Sequence, residues 1–259
     1  MPMDFQAEKN RSSYSMREAD VTWIHQIQIM INVKDKQVVD VGCGGGIYSK
    51  ALADLGANHV VGVDFSEQIL SSAKQNCRDY NNISFVSGNA LETTLASEHF
   101  DVVLERALIH HVDDLSSCFM EAYRILKPGG CLIVQDRTPE DCLVEGSSTH
   151  IRGFFFSKFP ELASFENSRR HSSFEVVAAL EKAGFQPIEE FQLWESRKTH
   201  SNFDRLAADL LNRTGRSILH ELDDHQLTDL VAYIREHIAD EHLPITEKDR
   251  WTLWKAVKK

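Results

Sequence analysis

The chain has 259 residues, 42% of them hydrophobic, which is enough to bury a sizeable core and suits one domain with insertions better than two equal domains. A formal charge of -11 leaves no basic excess to neutralise phosphates, which argues against a nucleic-acid partner. The five cysteines, Cys43, Cys77, Cys118, Cys131 and Cys142, are odd in number and lack CxxC spacing, the pattern of reduced thiols in a cytoplasmic protein.

Residues 1–15 (MPMDFQAEKNRSSYS) are polar with no signal-peptide core, and no later apolar run is long enough to span a bilayer. From Arg17 onward, Val21, Ile24, Ile27 and Ile31 share one helical face. Val38–Ser49 (VVDVGCGGGIYS) reads as a strand that passes through a glycine turn into a helix closed by Gly56. His59–Asp64 is a second strand, and Ser66 caps a helix carrying Ile69, Leu70, Ala73 and Cys77. Ile83–Val86 and Phe100–Leu104 are the third and fourth strands. Asp113 and Asp114 cap the next helix, Pro128-Gly129-Gly130 ends it, and Cys131–Val134 is the fifth strand. Short apolar runs alternating with helices predict an α/β fold with a doubly wound, mostly parallel sheet.

Beyond Asp136 the rhythm changes. Residues 138–171 lack a period and read as an insertion over the site. Within them, Phe154-Phe155-Phe156 and Phe159 read as core packing of the insertion rather than as a substrate-pocket lining. Arg169-Arg170-His171, the densest basic spot, reads as a short solvated run. Ser173–Gly184 is a capped helix and Ile188–Ser196 a strand. More helical material carries Leu206, Leu210, Leu227, Leu230 and Ile234, and Trp251–Val257 is a last strand.

The glycine turn carries the chemistry. Gly42, Gly44 and Gly46 let backbone approach a ligand, and the helix that follows offers unpaired N–H groups. The dinucleotide fingerprint needs a small residue where this chain has Ile47, which weakens an NAD-dependent oxidoreductase as the reading. Asp40, directly under the turn, would repel a pyrophosphate and suits a cationic ligand.

This stretch resembles the first motif of class I S-adenosylmethionine-dependent methyltransferases, and the resemblance covers residues 36–136 well and the flanks in outline. It implies a seven-stranded sheet ending in an antiparallel C-terminal edge pair, with 1–35 as a cofactor-covering helix. The core is then 36–136, and 137–171 and 199–248 are helical insertions forming a substrate cover. By the same resemblance Asp40 faces the methionine amino end, Asp64 accepts the ribose hydroxyls and Phe65 lies against adenine. A bidentate acceptor matches a vicinal diol. Asn89-Ala90 stands where the family has Asp and a small residue. Asn89 either meets the adenine amino group or makes a plain Asx turn.

FDVVLERALIHHVDD resembles the fourth motif, which places Glu105, Arg106 and Ile109 along the sulfonium and adenosyl group. Glu105 either supports the methyl donor or substrate, or pairs with Arg106. His110 and His111 are a proton acceptor for an attacking nucleophile, or helix-capping and packing residues. Tyr14 and Arg17 either fold over the cofactor, with Arg17 on its carboxylate, or lie on the surface. Catechol-type O-methyltransferases hold magnesium with Asp and Asp-Asn at positions where this chain has Glu105 and Gln135-Asp136-Arg137, so no metal is expected. The resulting expectation is methyl transfer to a small molecule. The alternative is a non-catalytic module that binds S-adenosylmethionine or S-adenosylhomocysteine.

Overall fold

A computed structural model describes residues 18–238 and 244–259, and the chain divides into two compact units. The described part of the first holds residues 18–136, 171–193 and 252–259; the second holds 137–170 and 194–251 apart from the five undescribed positions.

In the first unit, helix α1 (Val21–Met30) precedes strand β1 (Gln37–Val41), helix α2 (Ile47–Asp54), strand β2 (His59–Asp64) and helix α3 (Glu67–Asn76). Strands β3 (Ile83–Ser87) and β4 (Phe100–Arg106), helix α4 (Leu115–Ile125) and strand β5 (Leu126–Asp136) follow. Helix α8 (Ser173–Lys182) leads into β6 (Phe185–His200), and β7 (Ile245–Lys258) ends the chain's secondary structure. The sheet order is β3-β2-β1-β4-β5-β7-β6, with β1 to β5 parallel and β7 antiparallel to β5. The expected sheet and its antiparallel closing strand are therefore present.

The runs QVVDV and HVVGVD hold consecutive valines rather than an alternating pattern because both faces of a parallel sheet are covered. Val39, Val103, Leu132 and Trp254 are fully buried in one cluster with Phe119, Ile125, Leu180 and Phe185. Register decides what reaches the sheet's rim. Asp40 pairs with Gly62 and Leu104, and Val41 pairs with Val63 and Glu105. Asp40, Asp64 and Glu105 therefore arrive together at the carboxyl ends of neighbouring strands, where open α/β sheets bind their ligands.

Three expectations need correction. The buried face of α1 is Trp23, Ile27 and Met30, not Val21, Ile24 and Ile31; Val21 is 71% exposed. Trp23 sets that face, because its indole N–H donates to Gln135 Oε1 at 2.8 Å and fixes the helix rotation. Pro128-Gly129-Gly130, expected to end α4, belongs to β5, which begins at Leu126. Its glycines accommodate a register shift opposite Phe100 and Val102. The basic run is not solvated: Arg170 is buried, held by Glu166 one helical turn before it.

In the second unit, short helices α5 (Pro139–Cys142), α6 (Gly153–Lys158) and α7 (Glu161–Asn167) precede α9 (Phe203–Leu211) and α10 (Asp224–His237). Phe154, Phe155, Leu206, Leu210, Leu230 and Ile234 are in its own hydrophobic core. The phenylalanine cluster is thus core packing, as expected from sequence. Among the described residues, no helix is long and apolar enough to cross a membrane.

Candidate active site

The turn after β1 is left-handed three times, at Gly42 (φ 73°), Gly44 (φ 53°) and Gly46 (φ 78°). A side chain at Gly46 would lie 2.9 Å from Cys77 Sγ, so that glycine is needed for packing. Among the described residues nothing lies within 4 Å of the side-chain position at Gly44, so a ligand can approach its backbone there. Gly46 caps α2 without a side-chain bond.

Asp64 ties this turn to β2. Its Oδ2 accepts from Gly44 N–H at 3.1 Å and its Oδ1 from Ser66 N–H at 3.0 Å. Each carboxylate oxygen keeps a second lone pair, which is the capacity a vicinal diol needs. Burial raises the Asp64 pKa, partly offset by the amide hydrogen bonds. Phe65 beside it is 64% exposed, an aromatic face open to a flat ring. Asn89 makes an Asx turn, its Oδ1 accepting from Leu91 N–H at 2.9 Å, while Ala90 packs against the edge of the core.

Asp40 is buried and accepts from Ser49 Oγ at 2.7 Å. Burial pushes its pKa up to about 6, although the Ser49 bond and the Arg106 charge pull downward. Glu105 is also buried; burial raises its pKa to about 8, with the Cys118 thiol 3.6 Å away pulling slightly back. Among the described residues no ion pair reaches Glu105, so the expected alternative of a bridge to Arg106 is not formed. Arg106 instead lies over the Tyr48 ring at 4.0 Å, and Trp23 meets the same ring edge-on at 4.7 Å. Three buried carboxyls meet at this rim, two with pKa values strongly raised by burial, and a cation beside them would favour their ionised forms.

Ile109 is buried at the start of a 3-10 turn with His110 and His111. His110 Nδ1 lies 2.8 Å from Asp136 Oδ2 and 3.1 Å from Oδ1, and its backbone N–H reaches Oδ2 at 3.3 Å. His171 fixes the turn from α8's approach, its Nε2 at 3.1 Å from Ile109 O and 3.0 Å from Val112 O. His111 lies against the His110 ring, centroids 4.0 Å apart. Nδ1 of His110 is thus committed to a buried carboxylate. Tyr14 and Arg17 lie outside the described residues. Among the described residues no cluster of His, Cys, Asp and Glu has metal-binding geometry.

Comparison with protein families matches residues 39–134 to one described as a methyltransferase domain. Residues 39–134 are a methyltransferase domain. The same stretch is also the part that resembles curated relatives. A ubiquinone biosynthesis O-methyltransferase of Methylococcus capsulatus is 38% identical over 107 residues, 40% of this chain and 44% of the relative. One from Pseudomonas fluorescens is 38% identical over 113 residues, 42% and 47% of the two chains. The match thus spans just under half the length of these relatives. Phosphoethanolamine N-methyltransferase 2 of Haemonchus contortus, solved with S-adenosyl-L-methionine, superposes with a TM-score of 0.57. It is 21% identical, with 92% of this chain and 52% of that one covered, a likeness that establishes fold. The dinucleotide reading does not survive the family match.

The first unit also holds residues that sequence reasoning passed over. Asp136 was weighed only as a metal ligand, yet it orients His110. Trp23, Tyr48 and Ser49 carry no motif signal; Ser49 is visible only as the hydroxyl one turn into a helix that opens above a buried acid.

Proposed function

We propose that the protein is a cytoplasmic enzyme that transfers a methyl group from S-adenosylmethionine to an oxygen of a small molecule. The observation that carries the cofactor half is the Gly44–Asp64 tie, which sets an open left-handed turn beside a diol acceptor. S-adenosylmethionine, when bound, supplies a methyl group already activated on a positive sulfur. The chain's residues then hold and orient. Asp64 would accept the sugar hydroxyls, Phe65 would cover the base, and Asp40 would provide negative potential for the cationic end, with Glu105 beside it mostly protonated at neutral pH. Arg106 and Ile109 complete the walls. Positioning of the nucleophile supplies most of the rate.

The His110–Asp136 pair favours an acceptor that arrives protonated. His110 would take the hydroxyl proton and Asp136 would stabilise the imidazolium that forms, leaving the oxygen to accept the methyl group as the methyl–sulfur bond of the donor breaks and S-adenosylhomocysteine departs. An oxygen acceptor agrees with the O-methyltransferase names of the relatives.

The test has two parts. Calorimetry with S-adenosylhomocysteine on wild type and Asp64→Ala measures the cofactor half. Incubation with cell extract and a methyl-labelled donor, read by mass spectrometry, measures transfer. Binding without labelled product would leave a binding module, and no binding would end the proposal.

A further inference from the structure

The turn that carries His110 is too short to hold its own shape. Ile109–His111 is a single turn of 3-10 helix, marginal by itself. The chain enters it through Ala107 at φ 50°, in the left-handed region that residues with a side chain avoid. Such strain persists only where the surroundings over-determine the backbone. Ala107 N–H donates to Gln135 O at 2.8 Å, and His111 N–H donates to Leu108 O at 2.9 Å. A further grip comes from His171, 62 positions after Ile109 in the chain.

His171 Nε2 lies 3.1 Å from Ile109 O and 3.0 Å from Val112 O. Both partners are carbonyl oxygens, which only accept, so Nε2 carries the hydrogen and donates. Ile109 opens the turn and Val112 caps it, so one N–H ties the two ends of the turn together.

The peptide between Ile109 and His110 is therefore held on both sides. Its C=O accepts from His171, and its N–H donates to Asp136 Oδ2 at 3.3 Å. A trans peptide is planar, with C=O and N–H pointing opposite ways, so the plane cannot rotate without weakening both bonds. The same Asp136 oxygen lies 2.8 Å from His110 Nδ1. The plane that His171 holds thus also sets where the His110 ring meets its carboxylate.

His171 stands on a fixed support. It directly precedes Ser172, which caps α8 reciprocally: Ser172 Oγ accepts from Glu175 N–H at 3.3 Å, and Ser172 N–H donates to Glu175 Oε2 at 2.8 Å. Behind that cap, Val176 and Leu180 are fully buried with Cys118 and Phe119 of α4 in one core. Support, histidine and turn all belong to the first unit, and His171 lies beyond the family-matched residues 39–134.

We propose that His171 is a positioning residue for the His110–Asp136 pair, acting through the Ile109–His110 peptide plane. The assignment rests on the methyl-transfer reading of the site, in which His110 takes the acceptor's proton. Misplacing a reacting group by about 1 Å costs on the order of a hundredfold in rate, which is the scale on which such a residue matters.

The test compares His171→Phe, which keeps a flat ring and removes the donor, with His171→Gln, whose amide still donates to carbonyl oxygens. The first readout needs no methyl acceptor. The full chain is prepared with isotopically labelled histidine and followed by NMR, with His110→Gln identifying the His110 signals among the 12 histidines. His171→Phe should speed water exchange of the His110 Nδ1 proton by about tenfold or more, and His171→Gln should return it to within about threefold of wild type. The Trp23 indole N–H, bonded to Gln135 in the same unit, reports an intact fold and should not change in either variant. A general structural role would move both signals together.

The second readout is methyl transfer from labelled S-adenosylmethionine in cell extract, expected to slow by about tenfold to a hundredfold in His171→Phe and to recover in His171→Gln. If wild type transfers no label, the methyl-transfer reading falls, and the NMR comparison still decides whether His171 sets the pair. Equal His110 exchange in wild type and His171→Phe, loss of the Trp23 signal along with it, or no recovery in His171→Gln overturns the positioning role. So does transfer that is equally fast in wild type and His171→Phe, an outcome that leaves the methyl-transfer reading standing.

Discussion

His110 Nδ1 and Asp136 Oδ2 lie 2.8 Å apart across the ends of neighbouring chain segments, with both residues largely buried. The carboxylate is the last residue of β5, and the imidazole sits on the turn after β4. Sheet register, rather than local sequence, therefore aligns the pair.

From this follows a kinetic expectation. Once an acceptor is known, His110→Gln should lower kcat by about 10²- to 10⁴-fold with little change in cofactor affinity. Asp136→Asn should also lower kcat and alter the acid limb of the pH–rate profile, because an amide no longer selects the same imidazole tautomer. An unchanged profile in Asp136→Asn would assign the pair to packing.

Two glycines in the same turn should fail differently. Gly46→Ala combines a left-handed backbone with a contact 2.9 Å from Cys77 Sγ, and should lose about 2–3 kcal/mol of stability. Gly44→Ala meets no neighbour among the described residues and should lose only about 1 kcal/mol, while S-adenosylhomocysteine binding falls steeply because the added methyl occupies the ligand's approach. Urea unfolding and calorimetry on both variants separate the two effects.

Glu105 gives the protein an unusual pH dependence. Its folded pKa, about 8, lies above its ordinary value of 4.5, so the native state holds the proton more tightly than the unfolded chain. The stabilisation is present below about pH 4.5 and is lost as pH rises through about 8. It amounts to roughly 4–5 kcal/mol at most. Glu105→Gln should flatten this slope in unfolding measurements at several pH values.

Asp40 makes a related prediction for binding. A cation beside it favours the ionised carboxylate, so S-adenosylmethionine should bind more tightly as pH rises through about 6, with proton release. Calorimetry in buffers of different ionisation enthalpy measures that release, and Asp40→Asn should reduce it.

The first unit was readable because its strands are continuous apolar runs and its turn demands glycine. The α1 face was misjudged because three isoleucines and a valine outweighed one tryptophan, whose hydrogen bond decides the rotation. The second unit was opaque for two physical reasons. Helices as short as Gly153–Lys158 and Glu161–Asn167 cannot display a period. The first half of β7 does alternate between buried and half-buried positions, but its inward residues include Glu247 and Asp249, so hydropathy hides the strand. Asp136 was likewise hidden, since its partner lies 26 positions earlier in the chain.

The antiparallel pairing of β5 with residues 252–257 has a bearing on biosynthesis. While the ribosome is still producing the segments between them, the outer edge of β5 stands ready for a strand that does not yet exist. Completion of the sheet must therefore wait until that late segment has emerged. Until then the nascent chain offers its open edge to chaperones, or to another unfinished copy of itself.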